Sequence, residues 1–182
     1  MEYLDIVDEQ GQPTGEIISR TLAHTEGIRH RTAHIWIVRR ENEHFQVLMQ
    51  KRAMSKDTFP GKYDTSSAGH IQAGDEPLAS GLRELAEELG IHAKPEDLAF
   101  AGCIHGNFAE EFHGKIFRDN EIAFVYVYQQ PVDIETLVLQ KEEVESVRWF
   151  DLEETYQNCQ NRNTQFCAPV PGLEVVRQCL YS

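Results

Sequence analysis

The chain has 182 residues, of which 17 are Lys or Arg and 30 are Asp or Glu, so its formal net charge is −13. A protein this acidic repels a nucleic-acid backbone, which excludes polymeric DNA or RNA as an expected partner. No segment approaches the roughly 18 consecutive apolar residues of a membrane helix, and the polar N-terminus lacks the regions of a signal peptide. A cytoplasmic protein that does not enter a membrane is therefore expected.

The N-terminal segment is predicted to form a β-hairpin. Residues Tyr3 to Val7 alternate in polarity, Asp8 to Gly15 is rich in turn-forming residues, and Glu16 to Ile18 resumes an extended pattern. The residues from Thr21 to Gly27 favour a short helix or a loop. Because the length suits one compact unit, we expect a single domain over residues 1–182, with the hairpin at about 1–28.

Two paired core strands are predicted next. The runs Thr32 to Val38 and Phe45 to Gln50 are rich in β-forming residues, and a charged turn from Arg39 to His44 separates them. Residues Lys51 to Lys62 are polar and contain a Pro-Gly pair, which indicates a surface loop. A short strand is expected around Tyr63 to Ser67.

The clearest helical pattern runs from Pro77 to Leu89. Apolar residues stand at positions 78, 82, 85, 86 and 89, with a proline suited to the first turn and Gly90 after the last. The spacing predicts one amphipathic helix.

The remaining third of the chain predicts three strands and two helices. The strands are Leu98 to Cys103, Ile122 to Tyr128 and Val144 to Phe150, and the first two are joined by a long loop containing histidines and glycines. The helices cover Leu152 to Asn158 and Gly172 to Leu180.

Three glutamates on the predicted helix point to metal chemistry. Glu84, Glu87 and Glu88 stand at i, i+3 and i+4, so their carboxylates share one stripe of the helix and repel one another unless a cation binds. Arg83 lies four residues before Glu87 and is expected to pair with it. Oxygen ligands without a thiolate or imidazole cluster suit Mg²⁺ or Mn²⁺. The competing interpretation is a solvated acidic face.

The run from Gly69 to Ile91 resembles the Nudix box, G-x5-E-x7-R-E-U-x-E-E-x-G-U with U aliphatic, and departs from it only in having Asp75 at the first acidic position. The resemblance implies an α/β fold, an α/β/α sandwich around a mixed sheet, and cleavage of nucleoside diphosphates linked to another group. It also implies that Glu84, Glu87 and Glu88 bind Mg²⁺, that Arg83 orients them, and that Gly69, His70 and Asp75 belong to the substrate-side loop.

A second resemblance concerns isopentenyl diphosphate isomerases, which belong to the same superfamily. Thr58 to His70 is similar to the segment around their active-site cysteine, and Asp119 to Glu121 is similar to their Glu-Asn-Glu element. His30 and His70 match isomerase metal-binding histidines, although isolated histidines are more often structural. Ala68 stands where the catalytic cysteine would be, and a methyl group cannot transfer a proton.

Three functions follow as hypotheses. The preferred one is a Mg²⁺-dependent hydrolase of a small diphosphate, in which Glu121 is the carboxylate outside the box that binds metal or activates water; the bland alternative for Glu121 is a solvated residue at a strand start. The others are an isomerase-like enzyme and a non-catalytic module that binds a nucleotide or metabolite. The resemblance is also compatible with a homodimer.

Overall fold

The computed structural model describes all 182 residues. The chain begins with the predicted hairpin, formed by β1 (Tyr3–Val7) and β2 (Pro13–Ser19), and continues into the helix α1 (Arg20–Glu26). Ser19 caps this helix, because its side chain accepts a hydrogen bond from the backbone of Leu22. The predicted turn is shorter than expected, because β2 starts at Pro13.

The main sheet is mixed and has seven strands. Two of them are the long neighbours β3 (His30–Glu41) and β4 (His44–Arg52), which pair antiparallel as predicted. The predicted turn from Arg39 to His44 is wrong in extent, since only residues 42 and 43 separate the strands. Backbone hydrogen bonds between β3 and β4 continue to the ends of both strands, so the charged residues there are exposed but extended.

Two short strands follow the loop after β4. They are β5 (Tyr63–Asp64), which pairs with β4, and β6 (Ser67–His70), which pairs with β3. The single short strand expected around residues 63–67 is therefore two strands. The helix α2 (Pro77–Leu89) has the bounds that the sequence predicts.

The long loop predicted after Cys103 is wrong. Instead, β7 (Leu98–Phe112) and β8 (Lys115–Tyr128) form a continuous antiparallel hairpin that turns only at residues 113 and 114. Cross-strand hydrogen bonds within the hairpin hold the histidine- and glycine-bearing residues in extended conformation, an effect of pairing that local composition does not show. β8 also pairs in parallel with β3, which makes the sheet mixed.

The chain ends with β9 (Val144–Asp151), which pairs with β4, and with the helices α3 (Leu152–Gln160) and α4 (Val170–Tyr181). None of the four helices has the length and apolar character that crossing a bilayer would require.

The two faces of the sheet bury separate apolar cores, which gives the α/β/α layering. On one face, Ile35, Ile37 and Leu48 pack against Leu85 and Leu89 of α2. On the other face, the core joins alternate strand residues to α3 and α4; it includes Trp36, Val38, Val47, Leu152, Leu173 and Val176. Because strand residues alternate between faces, each candidate site residue is assigned to one layer.

Candidate active site

Glu84 of α2 lies against the short strand β6. Its side chain is half-buried and passes so close to Gly69 that a Cβ built on this glycine would overlap the glutamate's Cδ. Position 69 therefore needs glycine for space, since its backbone is not in a left-handed conformation. The box glycine is explained by this close approach.

Arg83 fixes the loop that precedes the helix. Its guanidinium donates to Asp75 Oδ2 at 2.7 Å, to the backbone carbonyl of His70 at 3.2 Å and to Glu84 Oε1 at 3.3 Å. The shorter aspartate thus reaches the arginine. The predicted pair between Arg83 and Glu87 is wrong, because the loop folds back beside Arg83 and offers it nearer acceptors.

Glu88 is almost fully buried, whereas Glu87 is exposed. The Oε2 atom of Glu88 accepts a hydrogen bond of 2.5 Å from the side-chain amide of Gln50 on β4. Burial, together with the nearby charge of Glu84, raises the pKa of Glu88 to about 8. Ionising Glu88 in the folded, metal-free protein therefore requires more free energy than ionising it in the unfolded chain.

Three carboxylates near Glu88 each have a cationic partner. Glu84 pairs with Arg83, Asp64 pairs with Arg52 at 3.2 Å, and Glu143 pairs with Lys56. Glu88 forms no ion pair. A buried carboxyl group that lacks a cationic partner and lies among further oxygen donors fits a small divalent cation such as Mg²⁺, which would stabilise its ionised form.

A second cluster consists of histidines that the sequence scatters over three elements. His24 of α1, His30 of β3 and His70 of β6 bring ring nitrogens within 4.8 Å of one another. The Nε2 atoms of His24 and His70 are 3.0 Å apart. The Nε2 of His30 is buried without a hydrogen-bond partner. An unpartnered imidazole nitrogen facing two others is a donor set for a transition metal rather than for Mg²⁺.

Two carboxylates of β8 complete this cluster. His30 Nε2 lies 3.7 Å from Asp119 Oδ1, and His34 Nε2 lies 3.3 Å from Glu121 Oε1. One ligand atom each of His30, Asp119 and Glu121 likewise lies within 4.8 Å of the other two. We refer to His24, His30, His70, Asp119 and Glu121 together as the histidine–carboxylate cluster.

Proton affinities within the cluster diverge. Burial lowers the pKa of His24 to about 4 and also lowers that of His30. Burial and the charge of Glu121 raise the pKa of Asp119 to about 8. Burial alone would raise the pKa of Glu121, but its hydrogen bond with His34 lowers it overall. The pair on β8 thus holds one protonated and one ionised carboxyl group at neutral pH.

The sheet separates the helix glutamates from the histidine–carboxylate cluster. Gly69 pairs with Ala33 and faces α2, whereas His70 pairs with Thr32 and points to the opposite face, where His30 and Glu121 also lie. Glu121 is therefore grouped with histidines and not with Glu84, Glu87 and Glu88. No local sequence pattern pointed to His24, which stands in a short helix outside any motif.

Ala68 stands two residues before His70 and shares its face of the sheet, paired with His34. Its methyl group offers no proton at this position. Four phenylalanines stand beside the cluster: Phe117 stacks on His24 with ring centroids 4.2 Å apart and neighbours Phe108 and Phe112, which both contact Phe59.

Comparison with known proteins finds relatives that match most of the chain. A family model described as the NUDIX domain matches residues 28–166. An uncharacterized Nudix hydrolase of Clostridium acetobutylicum is 40% identical over 161 residues, which cover 88% of this chain and 75% of that protein. Nudix hydrolase 3 of Arabidopsis thaliana is 39% identical over 159 residues, 86% of this chain but only 20% of that longer protein.

Solved structures share the fold at lower sequence identity. The DR0079 protein of Deinococcus radiodurans aligns with a TM-score of 0.67 at 20% identity, covering 98% of this chain and 99% of its own. The NUDIX domain of Shewanella oneidensis NrtR, complexed with ADP ribose, aligns with a TM-score of 0.58 at 14% identity, covering 90% and 98%. A Caenorhabditis elegans Ap4A hydrolase aligns with a TM-score of 0.53 at 19% identity, covering 83% and 97%.

Proposed function

The chain belongs to the Nudix hydrolase family, and on that premise we propose that it is a Mg²⁺-dependent hydrolase cleaving the diphosphate linkage of a nucleoside diphosphate derivative or a related small molecule. The observation that carries the proposal is the state of Glu88, a buried carboxylate of the box helix. It has no cationic partner, whereas the nearby Glu84, Asp64 and Glu143 each have one. A metal ion bridging to substrate phosphates would supply the missing charge.

The box residues divide the work in this proposal. Glu84, Glu87 and Glu88 hold Mg²⁺, with Mn²⁺ as a substitute, and Arg83 keeps Glu84 and the loop residue Asp75 in place. Gly69 leaves room for the Glu84 side chain. When bound, the ion neutralises charge on the phosphate oxygens and lowers the pKa of the attacking water. Glu84 and Glu87 are also the candidates for accepting the water's proton.

Glu121 is proposed as a carboxylate outside the box that binds metal or accepts a proton within the histidine–carboxylate cluster, and not at the helix glutamates. Its hydrogen bond with His34 keeps it ionised, while the neighbouring Asp119 retains its proton. An ionised carboxylate beside a proton donor suits acid–base work. Because Glu121 lies on the face of the sheet opposite to the one where Glu84 packs against Gly69, we assign it a site distinct from that of the helix glutamates.

The substrate class is inferred from chemistry and from relatives. A net charge of −13 disfavours nucleic-acid polymers, but a small diphosphate can approach through a metal ion. Among the structures that share the fold, one is named an Ap4A hydrolase and another was solved with ADP ribose. These ligands support nucleoside diphosphate derivatives as the compounds to test first.

We also propose that residues 1–182 act as one domain and that the chain forms a homodimer. Light scattering of the purified protein tests the oligomeric state.

The direct experiment is a screen for phosphate or nucleotide release. Purified protein is incubated with Mg²⁺ and a set of nucleoside diphosphate derivatives, with Mg²⁺ omitted and with Glu88→Gln as controls. Release that needs both Mg²⁺ and Glu88 supports the hydrolase. Tight binding of one compound without turnover of any would instead favour the non-catalytic module.

A second candidate is membership of the isomerase-like branch, which the histidine–carboxylate cluster favours. Ala68 argues against isomerase activity, because the position facing that cluster has no proton to give. The test measures double-bond migration in isopentenyl diphosphate by the unaltered protein and by Ala68→Cys. Isomerisation by the unaltered protein would overturn the hydrolase assignment, and activity confined to Ala68→Cys would place the scaffold in that branch.

A further inference from the structure

Gln50 is the only side chain that hydrogen-bonds the unpaired carboxylate Glu88. It stands on β4, is buried, and lies on the face of the sheet that packs against α2. The amide of glutamine is neutral, so it can fix the direction of the carboxylate while leaving its negative charge available. A lysine or arginine at this position would have neutralised Glu88, as happens to its three acidic neighbours.

The orientation of the Gln50 amide is determined by the backbone. Its Nε2 atom donates both to Glu88 Oε2 and, at 3.2 Å, to the carbonyl oxygen of Ser66. A backbone carbonyl can only accept, so the NH₂ group must face Ser66, and the same group then reaches Glu88. The amide oxygen cannot replace it without breaking both bonds.

Ser66 is itself held in place. The backbone N–H of Ile37 donates to its hydroxyl at 2.8 Å, and the hydroxyl donates to the carbonyl of Leu48. The carbonyl that orients Gln50 is thus anchored to β3 and β4 together. The network links the rigid centre of the sheet to one carboxylate of the box helix.

We infer that Gln50 is a positioning residue for the metal site: anchored by Ser66, it holds the Glu88 carboxylate in a fixed direction and leaves its charge for a divalent cation. The inference rests on the proposed function, since it assumes that Glu88 binds the ion. Outer partners that orient metal ligands typically change metal affinity by about 10–100-fold when removed.

The test compares three variants by Mn²⁺ binding, measured from the electron paramagnetic resonance signal of free Mn²⁺, and by thermal unfolding without metal. Gln50→Leu removes both donated bonds at similar volume and should weaken Mn²⁺ binding by about tenfold or more. Gln50→Lys gives Glu88 a permanent cation and should abolish binding while the protein stays folded. The matched control is Gln46→Leu, on the same strand, where the side chain accepts from Arg39 at the surface.

Unchanged Mn²⁺ affinity in Gln50→Leu and Gln50→Lys, with tight binding by the unaltered protein, would overturn the role of Gln50 but leave the hydrolase proposal standing. Equal weakening in Gln46→Leu would show a general effect of the strand and would also overturn it. Absence of Mn²⁺ binding and of turnover in the unaltered protein would instead refute the proposed function, on which this role depends.

Discussion

The box helix and the histidine–carboxylate cluster lie on opposite faces of one sheet, and in both a glutamate side chain passes close to a glycine of a strand. At the box helix, Gly69 leaves space for Glu84, and at the cluster, Gly106 lies opposite Glu121, where an added Cβ would come within 3.1 Å of the glutamate's Cγ. Each glycine lets a candidate site carboxylate approach its strand closely. Small residues in a sheet can therefore mark where a buried acid approaches the backbone.

The two regions differ in their donors and in their counter-charges. The box region contains carboxylates, and two of them, Glu84 and Asp64, are paired with arginines. The cluster instead contains imidazoles with lowered pKa values beside a protonated aspartate. Hard oxygen ligands suit Mg²⁺, and imidazoles suit later transition metals. The strand β6 joins the regions, because Arg83 holds the His70 carbonyl while the His70 ring faces the other cluster.

The largest effect is expected on turnover, when a glutamate of the box helix is replaced and the histidine–carboxylate cluster is left unchanged. Replacing Glu87 or Glu88 with Gln should lower metal-dependent kcat by roughly 10²–10³-fold or more, as when a preorganised electrostatic group is lost. The fold should persist, because Glu87 is exposed and a glutamine at position 88 can still accept the hydrogen bond from Gln50. Kinetics with Mg²⁺ and circular dichroism are the measurements, and Glu96→Gln at an exposed site is the control. Retained turnover in both variants would refute the box assignment.

The next effect concerns the pH dependence of stability. Because burial raises the pKa of Glu88 from 4.5 to about 8, the folded protein keeps a proton that the unfolded chain has released between these pH values. Stability of the metal-free protein therefore falls as pH rises across this interval. Glu88→Gln lacks this loss, so its advantage in free energy of unfolding should grow by roughly 1–4 kcal/mol from pH 5 to pH 8, at about 1.36 kcal/mol per pKa unit.

Urea unfolding at several pH values, with a chelator present, measures that difference. The same series for Glu96→Gln corrects for general charge effects. A constant difference between Glu88→Gln and the unaltered protein across the range would contradict the buried, ionisable state of Glu88.

A smaller effect is expected from filling the space at Gly69. Gly69→Ala places a methyl group where Glu84 now lies, so the glutamate must move, and overpacking of this kind costs typically about 1–3 kcal/mol. Mn²⁺ affinity should fall with it. Thermal unfolding and Mn²⁺ titration are the measurements, and unaltered affinity would show that Glu84 does not bind the ion.

The smallest effect is expected at the matching glycine of the other region. Gly106→Ala requires the Glu121 side chain to shift by only a few tenths of an ångström, so the stability loss should be below about 1 kcal/mol. Mn²⁺ binding at the box should not change. If Gly106→Ala weakened that binding as much as Gly69→Ala, the two regions would act as one site and not as two.

The sequence predicted most of the secondary structure because local pattern carries it. The bounds of α2 follow from apolar spacing between Pro77 and Gly90, and the N-terminal hairpin follows from alternation around a turn-rich stretch. The same pattern failed between Cys103 and Glu121, where polar and glycine residues are strand because they pair across the sheet. Strand extension there depends on pairing within the β7–β8 hairpin, from Cys103 with Phe124 to Phe112 with Lys115, and not on the composition of either segment.

The site divides in the same way. The residues Arg83 to Glu88 lie within two turns of one helix, so their spacing alone placed them on a common surface and suggested an oxygen-ligand metal site. Only tertiary structure could show that Arg83 turns to Asp75, that Gln50 holds Glu88, and that His24 joins His30 and His70. These contacts join residues of separate strands and helices, and their geometry depends on sheet register and face, which no single segment encodes.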